Sequence, residues 1–284
     1  MYLLIPSSGV TGTARHAGRP GVSNLDDLGW WVRRLAVKST AIQYGITPCF
    51  MAKPKQGLPG NSGHMHVSLV QDGTSLLARD EANPAAKWPD LAHISDLGCH
   101  FLAGILDGLP DVMPMLAPTI NSYKRLVENF WAPVTVSWGL ENRSASIRLV
   151  APPMCKPSAI RFEVRVAGAD ANPYFVLAAI VGLGWRGVEK RLEIGIPPGF
   201  DEGQQQSQSQ SQSESQNKSK SHSGERLARS LREATAKFMA RDSVAREVFG
   251  DAFVDHFGGT REHEIRQFDE AVTDWEMKRY IETV

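Results

Sequence analysis

Cysteine is scarce in this 284-residue chain: Cys49, Cys99 and Cys155 are far apart and form no C-x-x-C pair. That excludes a disulfide framework and a cysteine zinc cage, and it fits a reducing compartment. Net charge is absent too, with 31 basic against 31 acidic side chains. Without a basic run or an aromatic stacking motif, nothing argues for nucleic acid as a partner. No stretch approaches the roughly 20 apolar residues that span a bilayer, and the short apolar run at residues 1–5 lacks a basic flank. No membrane association is expected, and the cytoplasm is the default location. What is present is a 42% hydrophobic composition, enough for a real core in one large or two small domains.

Residues 6–24 are rich in Gly, Pro, Ser and Thr and have no apolar period, so the segment 1–24 reads as a mobile arm. Leu25, Leu28, Val32, Leu35 and Ile42 predict a helix capped near Ser23 or Asn24, ended by Gly45 and packed on the sheet that follows. Strands are expected at 46–51 and 64–69, with a hairpin turn at Asp72-Gly73 and a scaffold helix over 91–106. Asn172-Pro173 opens an apolar, buried helix running from Tyr174 to about Glu189. The Gln/Ser tract at 201–224 reads as a disordered insertion. Helices follow over 225–240, 243–249 and 260–281, the last with Ile265, Phe268, Val272 and Trp275 as its apolar stripe.

Charge is balanced overall but not locally. Residues 121–165 hold Lys124, Arg125, Arg143, Arg148, Lys156, Arg161 and Arg165 against Glu128, Glu141 and Glu163. In the run Arg161-Phe162-Glu163-Val164-Arg165 a strand puts the two arginines and the glutamate on one face and Phe162 and Val164 on the other. A second strand at 144–148 could bring Arg148 to that charged face, in a register the sequence leaves open. Guanidinium groups bind carboxylate and phosphate through paired hydrogen bonds; equally, R-x-E-x-R fits an exposed strand whose charges neutralise one another. His64, His66 and Ser68 share a face of the earlier strand. Two imidazoles there suit either a metal or a phosphate if a carboxylate converges, or else are simply satisfied histidines. The loop at 53–63 has three glycines that permit close backbone approach but lacks the P-loop spacing.

Six ordered blocks, FMAKP, GHMHVSL, NSYKRL, ENRSASIR, RFEVR and ADANPY, resemble the motifs of the glutamine synthetase family over residues 30–284. The resemblance implies an α+β fold in which a curved antiparallel sheet lines the active site within surrounding helices. Residues 25–284 would form a partial catalytic domain that starts after the small N-terminal domain and the upstream strands bearing further metal-binding glutamates. It implies an ATP-dependent ligase of glutamine biosynthesis and nitrogen metabolism that phosphorylates glutamate and then joins it to ammonia, with Mg²⁺ or Mn²⁺ as cofactor. By that resemblance His64 and Glu163 are metal ligands, and His66, Ser68, Arg148 and Arg161 serve ATP. Arg143 neutralises the phosphoryl group, Arg125 and Arg165 hold glutamate, and Gly60 and Asn61 lie beside the substrate.

Where the family carries an ammonium-handling glutamate in the flap after NSYKRL, this chain has Trp131, with Glu128 three residues earlier. Trp131 either packs or favours a larger amine, giving a γ-glutamyl-amine ligase. A third possibility is a non-catalytic subunit. The family's sites lie at subunit contacts, so a homo-oligomer, or assembly with a complete paralogue, is expected.

Overall fold

Alternation in residues 161–165 builds the centre of the molecule. The computed structural model describes residues 2–4, 10–11, 24–128, 130, 132–199 and 224–283. Strands β1 (Tyr2–Leu4) and β2 (Val10–Thr11) and helix α1 (Asn24–Gln43) lead to β3 (Thr47–Cys49), β4 (Met65–Val67), β5 (Val70–Gln71) and β6 (Thr74–Ser75). Helices α2 (Asp96–Gly108), α3 (Met113–Leu116) and α4 (Ile120–Tyr123) precede β7 (Trp138–Leu140), β8 (Ile147–Val150) and β9 (Arg161–Val164). Then come α5 (Pro173–Lys190), α6 (Leu231–Met239), α7 (Val244–Phe249), α8 (Asp251–Glu270) and α9 (Asp274–Tyr280). None of the described helices is long and apolar enough to cross a membrane. The readings of 1–24 as an arm and of 201–224 as an insertion fall largely outside the described residues.

Five strands form the main sheet in the order β2-β4-β9-β8-β7, with β9 antiparallel to both neighbours. Register follows the pleat: His66 and Arg148 both lie opposite Glu163, while Val67 and Leu149 lie opposite Phe162. One face is therefore wholly apolar. Met65, Val67, Ile147, Leu149, Phe162 and Val164 are buried there, and the Phe162 ring stacks on Phe101 of α2 with centroids 6.2 Å apart. Helix α2 in turn crosses α5 at a glycine contact. A Cβ on Gly104 would meet the Leu183 carbonyl and lie 2.7 Å from Gly187 Cα, so only glycine permits this approach.

Several predicted elements form where expected, with local corrections. Asp72 and Gly73 both have positive φ, 51° and 82°, which is the backbone a two-residue hairpin turn requires. The helix expected over 91–106 begins at Asp96, because the Ser95 side chain accepts from the Gly98 amide and caps it. The strand expected at 144–148 is shifted to Ile147–Val150: the Asn142 side-chain oxygen accepts from the amides of Ser144 and Ala145 and holds them in a turn. Helix α5 forms with Asn172 as its cap, yet Val181 and Trp185 on its outer face are exposed, so it is not buried all round.

Helix α6 starts at Leu231 rather than at residue 225, since Ser230 caps it and the preceding residues bond to 134–136 instead. The helix expected over 260–281 is two helices, split where Thr273 and Glu276 make a capping box; Val272 and Trp275 are consequently exposed rather than part of a stripe. Leu35 and Ile42 of α1 are exposed as well, while Ala41 is buried.

Candidate active site

On the opposite face of the same strands the side chains are charged. Glu163, only 3% exposed, is the centre. Its Oε1 accepts from His64 Nδ1 at 2.8 Å and from Arg165 Nη1 at 2.6 Å, and its Oε2 accepts from Arg148 Nη1 at 2.8 Å. Burial alone would raise the Glu163 carboxyl, but the His64 hydrogen bond and the guanidiniums of Arg165 and Arg148 outweigh it and hold the group well below the usual carboxylate range. Burial pushes the His64 and His66 imidazoles down, so at neutral pH His64 is uncharged and donates its Nδ1–H.

Arg148 bridges two acids, donating its Nε to Glu141 Oε2 at 2.9 Å as well as Nη1 to Glu163. Arg161 donates to His66 Nδ1 at 3.3 Å and to the Ala159 carbonyl at 2.9 Å. Arg125 is buried and donates to the carbonyls of Val166 and Ala167 at the end of β9. Desolvation brings its guanidinium down to about 10. The Nε atoms of Arg125 and Arg165 are both buried without a hydrogen-bond partner. Arg143 is exposed on the turn after β7, close enough to Arg165 to lower its pKa, and it makes no ion pair with a described residue.

The loop at 53–63 meets this face through Gly60, where a Cβ would lie 2.5 Å from Arg125 Cγ and would also meet the Ala52 carbonyl. The glycine is what lets the loop lie along the arginine stem. Asn61 is buried, but its side-chain amide is spent on the Met51 carbonyl at 2.9 Å, so it fixes the loop. Ser68 lies one residue beyond β4, half-buried. The sheet thus brings together His64, His66, Arg148, Arg161, Glu163 and Arg165, with Arg125 and Gly60 beside them.

Residues that sequence reasoning gave no role complete the frame. Glu141, at the turn with φ 53°, is the second counter-charge of Arg148. Asp170 accepts from Thr119 Oγ1 at 2.8 Å and Ser122 Oγ at 2.7 Å, fixing the start of α4 just before Arg125. The Asn121 side chain accepts from Lys53 N at 2.7 Å and donates to Lys53 O at 2.9 Å. The only sequence signal for these three was their place in the motifs; no periodicity marks them. In the flap, Lys53 Nζ lies 4.3 Å from the Phe130 ring centroid and Glu128 pairs with Arg226 at 2.9 Å. Trp131 lies outside the described residues.

His64 and Glu163 do not by themselves make a metal centre. They are hydrogen-bonded to each other, both oxygens of Glu163 are engaged, and among the described residues no three His, Cys, Asp or Glu side chains converge as ligands. A divalent cation with six or so oxygen donors needs more than these two. What the described residues can hold unaided is an anion: Arg125, Arg143, Arg148, Arg161 and Arg165 outnumber the carboxylates that act on them, Glu141, Glu163 and Asp170, and their remaining N–H groups suit carboxylate or phosphate oxygens.

Comparison with known proteins agrees with that chemistry. The family profile described as glutamine synthetase, catalytic domain, matches residues 22–280. A type-1 glutamine synthetase 2 of Dictyostelium discoideum is 40% identical over 87% of this chain and 43% of that protein. A gamma-glutamylethanolamide synthetase, GlnA4, of Streptomyces coelicolor is 35% identical over 88% and 47%. A glutamate–isopropylamine ligase of a Pseudomonas species is 34% identical over 87% and 49%. The chain spans about half the length of these relatives. With the catalytic-domain profile covering nearly all of it, this chain belongs to the glutamine synthetase family of ligases.

Proposed function

We propose that this chain carries the arginine-lined half of an ATP-dependent glutamate–amine ligase. The observation that carries the reading is the cationic excess around Glu163, where Arg125, Arg143, Arg148, Arg161 and Arg165 exceed the acids that face them. Two anionic reactants held together, a triphosphate and an amino acid with two carboxylates, supply the missing charge. Arg161, Arg148, His66 and Ser68 lie toward the nucleotide, Arg125 and Arg165 toward glutamate, and Arg143 toward the phosphoryl group in transfer.

A γ-carboxylate oxygen attacks the terminal phosphorus and the bond to ADP breaks. The amine then adds to the acyl phosphate carbonyl and gives up a proton as phosphate leaves. Arginines that are already positioned stabilise the charge without reorganising.

The amine is larger than ammonia on this reading. Glu128, the described flap acid, pairs with Arg226 at the surface, and Phe130 puts an aromatic ring into the flap, with Lys53 Nζ over it. Two relatives, one named for a γ-glutamylethanolamide product and one for ligating isopropylamine to glutamate, support this reading.

The test is phosphate release by the purified chain with ATP, Mg²⁺ and glutamate, adding ammonium, ethanolamine, isopropylamine or putrescine in turn. Amine-dependent release that Arg143→Ala abolishes is expected. A folded chain with no release above the amine-free control for every amine would overturn the ligase reading, and release with ammonium alone would overturn the choice of amine.

A further inference from the structure

Strands β7 and β8 are parallel neighbours, with Trp138 opposite Ile147 and Leu140 opposite Leu149, yet only residues 141–146 connect them. Parallel strands normally need a connection of about a dozen residues or more, so this one has to be wound tightly. Glu141 begins the winding with φ 53°, a left-handed conformation that a residue other than glycine keeps only when its surroundings impose it. Ser146 holds the far end: its amide donates to Ser137 Oγ at 3.1 Å, and its carbonyl accepts from the Arg165 amide at 2.9 Å.

Between those ends the turn is closed by one side chain. Asn142 is 5% exposed and uses both ends of its amide. Its Oδ1 accepts from the amides of Ser144 at 2.7 Å and Ala145 at 3.1 Å, while its Nδ2 donates to the Gly199 carbonyl at 2.8 Å. Gly199 is itself fixed to β7, donating its amide to the Trp138 carbonyl at 2.7 Å. The bond to Gly199 therefore sets which way the Asn142 amide points, and the oxygen is left facing the turn. The approach is close: a Cβ on Gly139 would lie 2.8 Å from the Gly199 oxygen and 2.9 Å from Asn142 Cβ.

Arg143 sits inside the span that this side chain bridges. It is exposed and near enough to Arg165 for the two cations to act on each other. Like charges push it away from the sheet face, so its place has to come from the backbone that carries it. We propose that Asn142 is the positioning residue of Arg143, closing the turn at 142–145 and tying it to the segment that ends at Gly199. The part of this inference that concerns turnover rests on the ligase reading; the part that concerns the turn does not.

The experiment compares the full chain with Asn142→Ala, Asn142→Ser, Arg143→Lys and the double variant Asn142→Ala/Arg143→Lys. Hydrogen exchange, read by mass spectrometry over peptides covering residues 141–146, should speed up by about tenfold or more in Asn142→Ala, while residues 147–150 and α2 keep their rates. Serine at this position can still accept from the same two amides and should restore much of the protection. In amine-dependent phosphate release, Asn142→Ala should lower kcat by about tenfold and change the KM for ATP and for glutamate by less than about twofold, because Arg143 acts on the group in transfer. In the Arg143→Lys background the same change should cost no more than about twofold. Unchanged exchange, or acceleration throughout the sheet, overturns the local role of Asn142. Losses of kcat that simply multiply in the double variant, or that Asn142→Ser does not relieve, overturn its action through Arg143. If no amine supports release by the unaltered chain, the ligase reading falls, and exchange alone decides whether Asn142 holds the turn.

Discussion

The two faces of strands β4, β8 and β9 are made by the same backbone and solve opposite problems. On the apolar face Phe162, Val164, Ile147 and Leu149 are fully buried and satisfied by packing. On the charged face Glu163 is almost as deeply buried, but Arg125 Nε, Arg165 Nε and Glu141 Oε1 remain buried without partners. A core completes itself; a binding face stays incomplete until its ligand arrives.

Substitutions can break that contrast. The largest effect expected is from Phe162→Ala, which removes a fully buried ring and should cost about 4 kcal/mol of stability in a denaturant titration. Phosphate release per folded molecule should fall far less. Glu163→Gln should cost about 3 kcal/mol, as expected when one member of a buried charge pair is removed, and it should cut turnover at least a hundredfold or so. If both variants lost stability and turnover in the same proportion, the two faces would not be distinct.

The charged face should also carry the pH dependence. Glu163 is held below the ordinary carboxylate value of 4.5, so its contribution is complete above that value and is lost as the pH falls below it. His64, pushed below its ordinary 6.5, adds a loss that begins as the pH drops through that value. Denaturant midpoints should therefore decline from about pH 7 to pH 4, and Glu163→Gln should flatten the acid end of the curve.

A smaller effect is expected from Gly60→Ala, which forces a methyl group against the Arg125 stem. It should cost about 1–3 kcal/mol and raise the KM for glutamate more than it lowers kcat. Smallest in stability is Arg226→Ala, which breaks an exposed pair with Glu128 and should cost less than about 1 kcal/mol. By freeing Glu128 it should nonetheless raise turnover with ammonium relative to ethanolamine.

Much of this contrast was legible in the sequence because it has a period. Alternation at 161–165 and at 64–68 assigned the faces, and Asn172-Pro173 and Asp72-Gly73 marked a real helix start and a real turn. What was not legible depends on single hydrogen bonds between distant residues. The pairing of Arg148 opposite Glu163 needed the register. The shift of β8 hung on Asn142, and the break before α9 hung on Thr273 and Glu276. Asp170 and Asn121 carried no periodic signal, because each acts across roughly fifty or more residues of chain. The family motifs named the arginines, but only the packing revealed that Asn61 spends its amide on the loop itself.

The reciprocal hydrogen bonds between Asn121 and the backbone of Lys53 fasten the root of the flap to the loop at 53–63. They involve none of residues 128–131. A change of side chain at the flap tip therefore leaves this backbone join intact, so the segment after Tyr123 can vary in chemistry while its point of attachment stays where it is.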